Sequence, residues 1–131
     1  MAKYVYPAIF SPEDGGFSIR FPDFKSCYTS AVTLTEGLEM ANDVLCLTLY
    51  GLEEDGGKIP EASSVKEIET TGEEFVSLVA CDTIEYRKFY DNRAVKKTLT
   101  IPAWLNTMAE RQGVNFSMTL QAALKQELHI Q

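Results

Sequence analysis

The first apolar run, "KYVYPAIF" at residues 3–10, is rich in aromatic and β-branched side chains and predicts a strand. Pro7 within it favours an edge position, or at least an N–H side left unpaired. "SPEDGG" at 11–16 is turn chemistry. "FSIRF" at 17–21 then alternates Phe17, Ile19 and Phe21 with Ser18 and Arg20, so the two runs form a hairpin. "PDFKS" breaks the pattern, and "CYT" at 27–29 reads as a short third strand. From residue 33 the period changes to that of a helix. Leu34, Leu38, Ala41, Leu45, Leu49 and Leu52 recur at steps of three and four, and Met40, Val44 and Leu47 widen the stripe. Thr33 and Glu36 form a capping box at its start, and Gly51 or the "DGG" at 55–57 ends it. Residues 53–74 are polar and read as a loop, "EFVSLVA" at 74–80 as another strand, and 82–93 as a short helical spacer. One helix laid on one sheet face is an α+β layer arrangement.

The pattern changes again at Val95. Over residues 95–101, Val95, Lys97, Leu99 and Ile101 share one strand face and Lys96, Thr98 and Thr100 the other. Pro102 stops the strand and suits the first turn of a helix carrying Trp104, Leu105, Met108 and Ala109, which Gly113 ends. A second helix starts near Asn115 or Ser117, with the stripe Phe116, Leu120, Ala123, Leu124 and Leu128. The boundaries that follow are residues 1–81, a spacer at 82–93, and 94–131.

The last segment is too short to bury its own stripes, and its strand needs a neighbour for its backbone groups. Two copies solve both problems. The strands pair antiparallel over a core of Leu99, Ile101, Trp104, Leu105, Met108, Leu120 and Leu124. The outward ribbon then carries Lys96, Thr98 and Thr100, which can read base edges in a major groove. Lys97 and the amides of Asn115, Phe116 and Ser117 suit backbone phosphates. This order of elements resembles a ribbon-helix-helix DNA-binding domain. The blander alternative is a dimerisation hairpin with a helical tail.

Charge sharpens the division. The formal net charge is −7. Residues 1–90 hold 7 basic and 16 acidic side chains, a net of −9, and residues 91–131 hold 5 and 3, a net of +2. The acidic part suits a basic protein partner, with Glu13, Asp14 and Asp23 as candidate contacts, although acidity can also serve solubility alone. Cys27, Cys46 and Cys81 are too far apart for a metal or redox pair and read as reduced thiols of a cytoplasmic protein. No run reaches membrane-spanning length, and the first residues lack a signal-peptide core.

Catalysis finds little support. Asp14, Asp23, Glu36, Glu39 and Asp43 could be imagined as metal ligands of a nuclease, but turns, a cap and a solvated helix face account for them. The single His, His129, is the third residue from the end, so no Ser or Cys nucleophile has an internal base. No phosphate loop is present, and neither a cofactor nor a metal is expected.

Two stretches taken together are more telling. "YPAIF…EDGGFSIRFPDFKSCYTSAVTLTEGLEMA" resembles the N-terminal domain of HicB-type antitoxins, and "AVKKTLTIPAWLNTMAERQGVNFSMTLQAALKQEL" resembles the ribbon-helix-helix tail of one branch of that family. The resemblance runs from about Tyr6 to Leu128. It implies a partial RNase H-like fold that binds and neutralises a HicA-type toxin, a small basic ribonuclease that cleaves mRNA. It also implies a tail that binds operator DNA and represses the chain's own operon, and no enzymatic activity. Lys25 and Ser26 stand where the family often has Pro-Gly, Ala31 and Val32 where it has Gly-Asp, and Gly37 where it has Ala. The competing reading is a stand-alone ribbon-helix-helix repressor whose N-terminal domain senses a ligand.

Overall fold

The computed structural model describes residues 2–130. The chain divides into two compact units, Met1–Arg93 and Ala94–Gln131. The first contains β1 (Lys3–Glu13), β2 (Gly16–Arg20), β3 (Tyr28–Ala31), α1 (Leu34–Asp55), β4 (Phe75–Asp82) and α2 (Thr83–Tyr90), with a single 3-10 turn at Val65–Glu67. The strands form one antiparallel sheet in the order β3-β2-β1-β4.

The hairpin is tighter than the sequence suggested. β1 runs on through Ser11 and Pro12 to Glu13, which pairs with Gly16, so only Asp14 and Gly15 form the turn. Gly15 has φ +82, the left-handed geometry that such short turns require. Pro7 lies on an internal strand, contrary to an edge assignment. β2 reaches no further along β1 than Ile9, however, so Pro7 has only β4 beside it. The alternative, an N–H side left without a ladder partner, explains its tolerance.

The core lies between α1 and the sheet face carrying Tyr6, Ala8, Phe10, Ile19, Ala31, Val79 and Cys81. Thr33 caps α1 by accepting the Glu36 amide at 3.1 Å, and Gly56 ends it with φ +66, so Gly51 is passed through. The buried face of α1 is Gly37, Ala41, Leu45, Cys46 and Leu49. Leu34 and Leu38, expected in the core, are 49% and 43% exposed, and Met40 and Leu47 also face solvent. Gly37 lets α1 lie close on the sheet: a methyl group there would sit 3.2 Å from a ring carbon of Phe10 and 3.3 Å from Ile19 Cδ1. The three cysteines are buried and free, and burial raises the pKa of each thiol.

Residues 83–90 do more than space. Arg87 of α2 meets the carboxylate of Glu53 at the end of α1 at 3.1 Å and also pairs with Glu54. Tyr4 and Thr83 hydroxyls donate to the same Glu53 carboxylate at 2.8 and 2.9 Å. This cluster joins the start of β1, the end of α1 and the start of α2. Burial works against the Glu53 charge, but the hydrogen bonds outweigh it and its pKa is lowered. On the sheet, Glu74 accepts from Arg20 at 2.9 Å, from the Ser11 hydroxyl and from the Thr71 amide, which hold its pKa near 2.

The second unit contains α3 (Ala103–Arg111) and α4 (Phe116–Glu127). The strand predicted over 95–101 is not formed: residues 91–102 carry no regular structure. A strand is defined by its ladder, and this segment pairs with no other segment among the described residues. Gly113, with φ +70, turns the chain between the helices, and Asn115 caps α4 by accepting the Met118 amide at 3.0 Å.

Two outcomes follow from the first unit. Gly37→Leu forces side-chain atoms into Phe10 and Ile19 and should cost about 1–3 kcal/mol in urea unfolding, whereas Met40→Leu on the exposed side should change stability little. Glu74 has a folded pKa below its unfolded one. Its contribution is therefore complete above about pH 4.5 and disappears as pH falls toward about 2. Thermal melts of wild type and Glu74→Gln should differ at pH 6 and converge near pH 2; a gap independent of pH would contradict the assignment.

Candidate functional site

The candidate DNA-facing residues fall in the second unit. Lys96, Lys97, Thr98 and Thr100 are all exposed on the irregular segment, and so are Val95 (71%), Leu99 (64%) and Ile101 (48%). A single chain therefore does not separate the two faces that the alternation distinguishes. The apolar side of the helices is equally open, with Trp104 at 65% and Met108 at 58% exposure and Leu105, Phe116 and Leu124 also exposed. Leu120 is partly covered, and no residue from Ala94 to Ile130 is buried.

The α4 N-terminus leaves backbone amides open. Its ladder opens with the Thr119 amide donating to the Asn115 carbonyl at 3.0 Å. With the Met118 amide taken by the Asn115 side chain, the amides of Phe116 and Ser117 remain for a ligand. The Ser117 hydroxyl accepts from Gln121 at 3.1 Å and stays exposed.

The acidic candidates separate into two kinds. Glu13 and Asp14 stand exposed at the hairpin tip, beside Glu36, around a shallow pocket of about 210 Å³. Asp23 is already engaged: its carboxylate accepts the Ser63 amide at 3.0 Å and the Ser63 hydroxyl, fastening the long loop to the sheet domain. Among the described residues no three His, Cys, Asp or Glu side chains are grouped to hold a metal ion. No described helix is long and apolar enough to cross a membrane.

Sequence reasoning missed a feature between α1 and α2. Tyr50, Tyr86, Tyr90 and Phe89 form a continuous ladder of rings, with centroids 5.5, 4.7 and 4.8 Å apart. The Arg87 guanidinium lies over the Tyr50 ring at 4.6 Å, and the Tyr50 hydroxyl donates to Asp91 at 3.0 Å. The other end is open, with Phe89 76% and Tyr90 64% exposed, on a groove of about 350 Å³ whose walls include Asp43, Asp82 and Glu85. The i, i+4 pair Tyr86 and Tyr90 was the available signal, hidden by the polar residues between them.

Residues 6–123 match the family described as HicB-like antitoxin of bacterial toxin–antitoxin system. The chain belongs to that family. Antitoxin HicB 1 of Photorhabdus laumondii subsp. laumondii is 33% identical over 92 residues, which is 67% of this chain. The chain spans about half the length of that curated relative, 56% of it. A chain of the toxin–antitoxin complex from Streptococcus pneumoniae superposes with a TM-score of 0.62 at 28% identity, over 95% of this chain and 99% of that one. A chain of the HicA3 and HicB3 toxin–antitoxin complex shares the fold, with a TM-score of 0.52 at 18% identity over 60% of this chain and 99% of that one. The HicB-like antitoxins are not a family of enzymes.

Proposed function

We propose that this chain is an antitoxin with two jobs. Its first unit, of partial RNase H-like kind, binds and neutralises a HicA-type toxin, a small basic mRNA-cleaving ribonuclease. Its second unit forms a ribbon-helix-helix homodimer that binds operator DNA and represses the operon. Family membership supports the first job, together with relatives whose structures are toxin–antitoxin complexes. The net charge of −9 over residues 1–90 supports it too, because it favours fast encounter with a basic protein.

A single observation carries the second job: a unit with two short helices and no buried residue. Each large apolar side chain left in water forgoes about 1.5–3 kcal/mol of burial. Helices of nine and twelve residues do not persist alone at that cost. A second copy supplies both the missing cover and the missing strand partner. In that arrangement Leu99, Ile101, Trp104, Leu105, Met108, Leu120 and Leu124 line the shared core. Lys96, Thr98 and Thr100 point away from it toward base edges, while Lys97 and the Asn115–Ser117 amides meet phosphates.

The test is separation of function. A Lys96→Ala, Thr98→Ala, Thr100→Ala protein should still sediment as a dimer and still rescue cells from the toxin, yet lose specific binding to the upstream DNA in mobility shifts. Each lost base contact should cost about 1–3 kcal/mol of discrimination, twice per ribbon. Normal operator binding by this variant would refute the ribbon. Ser117→Asp should instead weaken binding to all DNA sequences alike, because it sets a negative charge where a phosphate sits. Leu99→Asp buries a charge in the shared core and should leave residues 94–131 without stable helix by circular dichroism and proteolysis.

A further inference from the structure

We propose that the groove between α1 and α2 receives an arginine side chain of a protein partner, seated on the Phe89 and Tyr90 rings and paired with Asp43. That this partner is the toxin rests on the antitoxin reading above; that the occupant is an arginine rests on the groove.

The ring ladder already displays the chemistry at its closed end, where Arg87 lies over Tyr50 while its fork engages Glu53 and Glu54. The open end offers the same two components without the cation. Phe89 and Tyr90 present adjoining ring surfaces to solvent, their centroids 4.8 Å apart. The carboxylates beside them differ in availability. Asp82 is committed to the Ile84 and Glu85 amides as the α2 cap, and Glu85 pairs with Lys88 at 3.0 Å. Asp43 is exposed and makes no hydrogen bond or ion pair among the described residues. It is thus the carboxylate that can take a new partner without breaking an internal contact.

Arginine fits better than lysine for a physical reason. A planar, weakly hydrated guanidinium stacks on a ring with one face and forks to a carboxylate with its edge, whereas an ammonium does neither well. A purely apolar occupant would strand Asp43 beside a dry surface, and a nucleic acid would meet carboxylates rather than cations. Charge complementarity therefore selects a basic protein.

Two measurements test the groove and its partner separately. In the first, the full chain is titrated with N-acetyl-arginine amide and followed by ring-proton shifts in NMR. Saturable millimolar shifts are expected at Phe89, Tyr90 and Tyr86, weaker with the lysine amide and lost in Asp43→Asn. Absence of such shifts in the wild type would overturn the proposal and leave the antitoxin reading untouched. In the second, the basic protein encoded beside this chain is titrated calorimetrically. Phe89→Leu and Asp43→Asn should each weaken it about threefold to thirtyfold, the range of a cation–ring contact, while Phe89→Trp and the distant Glu61→Gln stay near wild type. Equal loss in Phe89→Leu and Phe89→Trp, or no loss in either, would overturn the arginine seat while wild-type binding upholds the antitoxin reading. Ring shifts with arginine but no binding of that protein by wild type would overturn the antitoxin reading and the partner named through it. A drop in the sedimenting mass of the toxin-free Phe89→Leu chain would overturn the proposal by giving the groove to a second copy.

Discussion

A segment that buries nothing sets the terms for the whole chain. From Ala94 to Ile130 no side chain is buried, and the stretch with strand alternation has no ladder. Both deficits have the same origin, since a strand and two short helices give too few layers to enclose a core. Cover must come from outside the segment. An identical segment is the least demanding source, because a two-fold arrangement makes one surface complementary to itself. Under that arrangement the polar strand faces of both copies must end on the same side. DNA contact and dimer formation then become one requirement rather than two.

The first unit has the opposite character. Its core of Phe10, Ile19, Phe21, Leu45 and Leu49 is closed by its own sheet and helix. Its polar side chains are largely used in holding it together. Glu53, Tyr4, Thr83 and Arg87 converge where three elements end, and each satisfies groups that the others would leave buried and unpaired. A unit that folds on internal contacts can offer a surface to a partner without depending on it. A unit that buries none of its own residues cannot, and this asymmetry supports assigning the two jobs to the two units.

Much of this was legible because it is local. The Thr33 cap, the glycine turn at 15, the helix stop at Gly56 and the Asn115 cap each follow from neighbours a few residues apart. Periodicity also named the right side of α1, but not how far the sheet extends beneath it. Leu34 and Leu38 therefore stand half exposed while Gly37, noticed only as a departure from the family, sits close against Phe10 and Ile19. Pro7 misled for a similar reason, since edge and interior are properties of the neighbouring strand's length. Residues 83–90 looked like a spacer because Glu85, Arg87 and Lys88 dilute the apolar signal, and the Glu53–Arg87 pair spans 34 positions that no local pattern connects. The strand expected at 95–101 is not formed, because alternation alone makes no ladder and no described segment pairs with it.

Charge counting shows the same limit at the candidate interface. A net of −9 over residues 1–90 says that a cation is attracted, not which carboxylates it meets. Internal bonding makes that distinction. Asp23 gives both oxygens to Ser63, and Glu74 gives its own to Arg20, Ser11 and Thr71, so recruiting either to a partner would break native contacts. Glu13 and Asp14 at the hairpin tip are exposed and carry no such commitment. They can exchange water for a partner's cation at the cost of desolvation alone, which is small at an exposed site. Steering draws on the whole charge at long range, whereas specific contact must come from the carboxylates the fold has not already used.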